Sequence, residues 1–227
     1  EAVMADQTVV KLKGRETMVV ESATFQESSK RYLVTASNVT MRFSLKEAEY
    51  VKPPKPRGFD QATNDIVKLE GFVKTHRRLW WDVEAFKILM PAYVTAGENV
   101  KAVALYEDMQ KIMAPPTPLS LQRNYWDALR TSDLPAKLEK HLDEAIKNGS
   151  REQAAHAYIV RGDALAAQNK KVEALVDGYL KTVVMFDDIR SARAEALEKA
   201  IRTMEAIGDR RVERLRKLLA EEKGTTN

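Results

Sequence analysis

Apolar positions follow two rhythms along this chain. Over roughly the first fifty residues they alternate or cluster in short runs, and afterwards they return every three to four residues. Thr8-Val9-Val10-Lys11-Leu12 ends at the turn signal Lys13-Gly14. Met18-Val19-Val20 and Ala23-Thr24-Phe25 form the next apolar stretch, closed by Glu27-Ser28-Ser29-Lys30, and Tyr32-Leu33-Val34-Thr35 follows. Val39-Thr40-Met41-Arg42-Phe43 places Val39, Met41 and Phe43 on one face of a strand, and Tyr50-Val51 closes the series. Four or five short strands at this spacing predict a small β-barrel or curled sheet over residues 1–52. Lys52-Pro53-Pro54-Lys55-Pro56-Arg57-Gly58 then removes donors and fixes φ, so residues 53–58 are expected to form a stiff, Pro-rich linker.

From Phe59 onward the period is helical. Ile66, Leu69, Phe72, Val73, His76, Leu79 and Trp80 share one stripe. Further helices are expected over 82–96, 99–113, 119–130, 135–147, 151–167, 171–186, 191–207 and 211–222. Asn148-Gly149 reads as a left-handed stop, Ser150 with Gln153 as a capping box, and residues 224–227 as a frayed tail. The whole predicts an α+β chain: a small β module followed by an all-α region of about nine helices at 59–223.

The spacing within the helical region is more specific. Phe86, Leu89, Tyr93, Ala102, Tyr106 and Pro115 fall where a tetratricopeptide repeat carries its large, apolar, aromatic, small, aromatic and proline residues. Met90 departs, since Gly is expected where the helices cross. Residues 82–115 therefore resemble one such repeat. Tyr158, Gly162, Leu165 and Ala174 resemble a second, 72 residues after the first, with Arg161 in place of Leu and Tyr179 one residue beyond its expected position. Weaker units span Leu119–Asn148 and Leu197–Leu219. The resemblance implies a tetratricopeptide-like superhelix in which helix pairs stack and leave a concave wall. The β module more faintly resembles the SH3-like or Sm-like barrels attached to bacterial envelope proteins, on "TVVKLKG" and "MRFSLKEAEYV".

Charge narrows the partners. The chain has 37 Lys+Arg against 33 Asp+Glu, a net of +4. Residues 1–58 hold 10 of the basic and 7 of the acidic residues, so the helical part is nearly balanced. This interleaving does not favour nucleic acid, whose binders gather basic residues into a patch. There is no cysteine, which removes disulfides and thiolate chemistry. No apolar run approaches the ~20 residues that span a bilayer. Val3-Met4-Ala5 has the small-residue character of a signal-peptidase site, which predicts export to the periplasm or cell envelope, while the composition suits the cytoplasm equally.

Chemistry is sparse. His76, His141 and His156 have no metal-ligand spacing, and no phosphate loop or nucleophile elbow occurs. No catalytic residue, cofactor or metal is expected. The favoured function is a non-enzymatic scaffold that binds a peptide or partner protein, as an accessory component of a bacterial envelope assembly, with self-association into a homo-oligomer compatible with the same architecture. The repeat register places Glu84, Lys87, Val94 and Thr95, then His156, Ile159, Asp163 and Ala166, then Glu195, Glu198, Arg202 and Glu205 on the concave face. Trp81 and Trp126, each beside a second aromatic, are candidate anchors. The alternative is nucleic-acid binding by the β module through Lys11, Lys13, Arg15, Lys30, Arg31 and Arg42, with the helices as an oligomerisation platform.

Overall fold

In the computed structural model, residues 7–75, 78–111, 117–132 and 134–224 are described. The chain divides into two compact units, Glu1–Leu121 and Gln122–Asn227.

The first unit begins with six strands: β1 (Thr8–Leu12), β2 (Thr17–Val20), β3 (Ser22–Gln26), β4 (Arg31–Ala36), β5 (Val39–Ser44) and β6 (Ala48–Lys52). They form two antiparallel three-stranded sheets, ordered β2-β1-β6 and β3-β4-β5. The expected barrel is thus corrected to an unclosed pair of sheets. The apolar run at 18–25 splits at Glu21, where the chain leaves one sheet for the other. The β4–β5 hairpin turns on Ser37 and Asn38, both at positive φ (49° and 62°), the twist a two-residue hairpin requires. Val10, Leu12, Val20, Tyr32, Val34, Ala48 and Val51 fill a common core, and Leu79 packs onto it from the helical side.

Helices α1 (Phe59–Ala62), α2 (Ile66–Thr75), α3 (Trp80–Thr95) and α4 (Asn99–Met109) complete this unit. The helical stripe expected to run through Leu79 and Trp80 is broken. Arg78 takes a left-handed φ of 68°, and a new helix starts at Trp80. The buried Asp82 carboxylate accepts the Arg78 N–H, and the Tyr32 hydroxyl donates to the Arg78 carbonyl at 2.6 Å. Two anchors thus hold a backbone conformation that an arginine rarely adopts. Gly97, at φ 74°, turns the chain from α3 into α4, where Phe86 meets Tyr106 at 6.5 Å between ring centres. Pro115 and His76 lie outside the described residues.

The second unit holds α5 (Leu119–Thr131, which starts just before it), α6 (Pro135–Asn148), α7 (Arg151–Ala167), α8 (Lys171–Glu173), a π-helical segment (Ala174–Tyr179), α9 (Leu180–Met185), α10 (Arg190–Glu205) and α11 (Val212–Gly224). Counting the continuous run 171–185 once, the described residues form ten helices, one more than the apolar periodicity suggests, because the short α1 precedes α2. The capping box at Ser150 forms as expected, with Gln153 N–H donating to the Ser150 hydroxyl at 3.1 Å. The left-handed stop does not: Gly149 is extended, with φ −78° and ψ 176°. Its lack of a side chain serves space instead, since a Cβ there would lie 2.4 Å from the Ala145 carbonyl oxygen.

The π segment explains the displaced Tyr179. A π-bulge accommodates one extra residue within a continuous helix. The Ala-to-aromatic spacing therefore grows from four to five, while Tyr179 still reaches the helix crossing. There Gly162 of α7 and Gly178 of the π segment face each other. A Cβ on Gly178 would sit 2.4 Å from Gly162 Cα, and one on Gly162 would enter the Tyr179 ring at 2.5 Å. Only glycine allows so close an approach. Successive elements pack in order: α6 on α7, α7 on the π segment, α9 on α10 and α10 on α11, with α10 also against α7. An alanine-rich seam (Ala154, Ala155, Ala192, Ala196, Ala200) lets these helices close around Ile159, Leu175, Val183, Phe186, Leu197 and Met204.

Candidate protein-binding face

A half-buried polar network ties together three helices of the second unit, α5, α7 and α10. Arg123 on α5 is its centre. Its guanidinium donates twice to Glu195 of α10, at 2.5 and 2.8 Å, a bidentate pairing that fixes both side chains in a plane. Arg123 Nη1 also lies 2.8 Å from His156 Nδ1 on α7. One helical turn along α10, Lys199 donates to both carboxylate oxygens of Asp163 at 2.8 and 2.7 Å and lies 3.6 Å from Glu195. The Tyr179 hydroxyl donates to Asp163 at 2.9 Å, so the π segment joins the same network. Gln153 and Gln122 bridge α7 and α5 beside it at 2.9 Å.

The electrostatics follow from this geometry. Burial pushes the Glu195 carboxyl up, but the hydrogen bonds and charge of Arg123, with Lys199 and His156, hold it below the usual carboxylate range. Arg123 is correspondingly held more firmly protonated by the Glu195 hydrogen bond. Burial first, then the Arg123 charge, lowers His156 below the ordinary imidazole value. Burial and then Asp163 raise the Tyr179 phenol, which stays protonated as a donor. Asp127, one turn beyond Arg123, is raised by burial despite Arg130 at 3.4 Å.

A pH dependence follows. His156 has a lower pKa folded than unfolded, so its contribution is present above the unfolded value and lost as pH falls through it. Glu195 has the same sign in the carboxylate range. Urea unfolding of the wild type should give a midpoint that drops between pH 7.5 and pH 5.5, and His156→Gln should flatten that drop. An unchanged slope in the variant would show that His156 does not cause the drop.

The residues expected at the concave face are scattered by comparison. His156, Asp163 and Glu195 enter the network together. Ile159 is fully buried beneath it, and Ala166 lies half-buried near the end of α7. Glu198 pairs with Lys223 at 2.9 Å, Glu205 pairs with Arg216 at 2.5 Å, and Arg202 is exposed. In the first unit, Glu84 pairs with Lys87 at 2.8 Å on α3, while Val94 and Thr95 occupy its C-terminal end. Trp126 is 0% exposed and so offers no anchor. Trp81 is half-buried, packs against Phe59 at 5.1 Å and donates to the Pro53 carbonyl at 2.9 Å, which ties the proline segment down. For the alternative reading, Tyr32 is buried and Phe25 lies under the Arg78 guanidinium at 5.3 Å, so neither ring offers an open platform for a base.

Arg123, Lys199 and Tyr179 are the members that sequence reasoning missed. A signal existed: Arg123/Asp127/Arg130 on α5, His156/Asp163 on α7 and Glu195/Lys199/Arg202 on α10 stand at three-, four- or seven-residue spacing, so each set shares one helix face. Among the described residues no group of three or more His, Cys, Asp or Glu could hold a metal ion, and no helix is long and apolar enough to cross a membrane. No protein-family model, curated protein or solved structure matches the chain.

Proposed function

We propose that this protein is a non-enzymatic interaction scaffold whose second unit is a tetratricopeptide-like stack of three helix pairs. A partner polypeptide lies along the side formed by α5, α7 and α10, and the assembly served is one of the bacterial cell envelope. The observation that carries the reading is the Arg123–His156–Glu195–Lys199–Asp163 network. It links the first helix of each pair on one side. Hydrogen-bonded charges of this kind hold neighbouring helices in fixed register and keep a polar, half-open surface from collapsing into core. The packing of α10 on α7, together with the bridges from α5 to α7, supports the reading as a stacked array.

The test is photocrosslinking in the producing cell. Benzoylphenylalanine placed at Glu152 or Arg202, exposed residues of α7 and α10, should yield discrete adducts. The same probe at Lys140 of α6 or Lys217 of α11 should not. Equal adducts at all four positions, or none anywhere, would contradict the proposed face.

A further inference from the structure

We infer that the first unit carries a second, independent recognition site: a cavity of ≈ 240 Å³ between β6 and the start of α3 that takes an arginine side chain of a partner polypeptide. Its walls are Tyr32, Tyr50 and Trp80, with Leu79 and Val83, and its carboxylates are Glu49, Asp82 and Glu84. The size suits one long side chain rather than a cofactor.

The walls favour a cation. Tyr50 and Trp80 meet edge to face at 5.3 Å, which fixes the plane of each ring. The Trp80 ring already draws an ammonium, since Lys52 Nζ lies 5.2 Å from its centre. Indole faces attract positive charge most strongly among aromatic rings. Two of the protein's own cations, Arg78 and Lys87, also line the cavity, and Lys52 stands over the Trp80 ring, but Arg78 and Lys87 each have a carboxylate partner. Arg78 lies over Phe25 and 3.3 Å from Glu27, with its side chain only 6% exposed. Lys87 is held by Glu84 at 2.8 Å. Glu49 is exposed beside the cavity and has no ion-pair partner among the described residues. Asp82, fully buried in the lining, accepts the Arg78 N–H. A guanidinium fits this arrangement better than an ammonium. It is planar, so it stacks on a ring while donating to a carboxylate at its edge, and it is more weakly hydrated, so leaving water costs it less.

The site is also built rigidly. The left-handed turn at Arg78, pinned by Tyr32 and Asp82, sets where Trp80 begins α3 and hence where its ring stands against β6. Strain of this kind persists only where surrounding contacts over-determine it.

The experiment uses the full chain and N-acetyl-arginine amide as probe, followed by amide chemical-shift titration. Saturable shifts are expected at Glu49, Tyr50, Trp80, Val83 and Glu84. N-acetyl-citrulline amide, its neutral isostere, should bind at least tenfold more weakly. Glu49→Gln should weaken the arginine probe about threefold or more, and Trp80→Leu should weaken it further. A fold-preserving check comes from the citrulline arm, which needs no variant. Equal binding of arginine and citrulline probes, tighter binding of N-acetyl-lysine amide, or no saturable shift at these residues would overturn the assignment. None of these results depends on the face in the second unit.

Discussion

Gly178→Ala lowers the thermal midpoint of the second unit by about 12–24 °C. The new methyl would lie 2.4 Å from Gly162 Cα, 2.7 Å from Gly162 N and 3.1 Å from the Tyr158 carbonyl oxygen. All three are backbone atoms of α7, so no side chain can swing aside. The helices must separate, and with them Tyr179, whose ring covers Gly162. Overpacking costs typically 1–3 kcal/mol, and a backbone obstacle puts this case at about 3 kcal/mol. For a domain of about one hundred residues, each kcal/mol moves the midpoint by roughly 4–8 °C. Gly71→Ala is the contrasting variant. It lies within α2 with nothing inside 4 Å of the added carbon, so alanine should leave stability unchanged or raise it by about 0.5–1 kcal/mol. Calorimetry on both variants checks the pair. A Gly178→Ala midpoint within 3 °C of wild type, on the order set by the same conversion, would mean the crossing is looser than described.

Arg123→Ala has the second-largest effect. It removes both hydrogen bonds to Glu195 and the contact to His156, and leaves a half-buried carboxylate short of its main partner. Breaking a fully buried pair costs about 3–5 kcal/mol. Here the side chains retain 23% and 29% exposure, and Lys199 stands 3.6 Å from Glu195 to take up part of the charge. A loss of about 1–3 kcal/mol is expected after that screening. Arg123→Lys should recover little, because an ammonium cannot reproduce the bidentate fork. The double-mutant cycle with Glu195→Ala isolates the pair, and a coupling of at least ~1 kcal/mol is expected from groups in direct contact. Additive single effects would show that Arg123 and Glu195 do not act together.

Local rules made much of the fold legible. The strand alternation, the break between the helices at 82–96 and 99–113 and the Ser150 capping box all depend on residues close in sequence. What escaped depends on distant ones. The broken stripe at Arg78 is held by Tyr32, 46 residues earlier, and by Asp82. The single apolar stretch at 18–25 became two strands because the second pairs with β4 in a different sheet. Tyr179 looked displaced because periodicity assumes 3.6 residues per turn, and a π segment violates that assumption. Gly149 looked like a helix stop when it is a spacer.

The candidate face shows the same division. His156, Asp163 and Glu195 were reachable from the repeat register. Arg123, 72 residues from Glu195, was not singled out, because the polar spacing on α5 is visible but nothing local says that it pairs across to α10. Trp126 was misleading for a related reason. Two adjacent aromatics on a helix suggest that one must face outward, yet Tyr125 and Trp126 are both buried because α5 is enclosed on more than one side.

The proposed function requires that the side built from α5, α7 and α10 receive a partner polypeptide. Hydrogen exchange on the full chain, with and without the partner recovered by crosslinking at Glu152 or Arg202, tests it directly. Added protection should concentrate on α5, α7 and α10 and be lost with Arg123→Ala. Protection confined to α6, α9 and α11, or no change on any of the six helices, would contradict it.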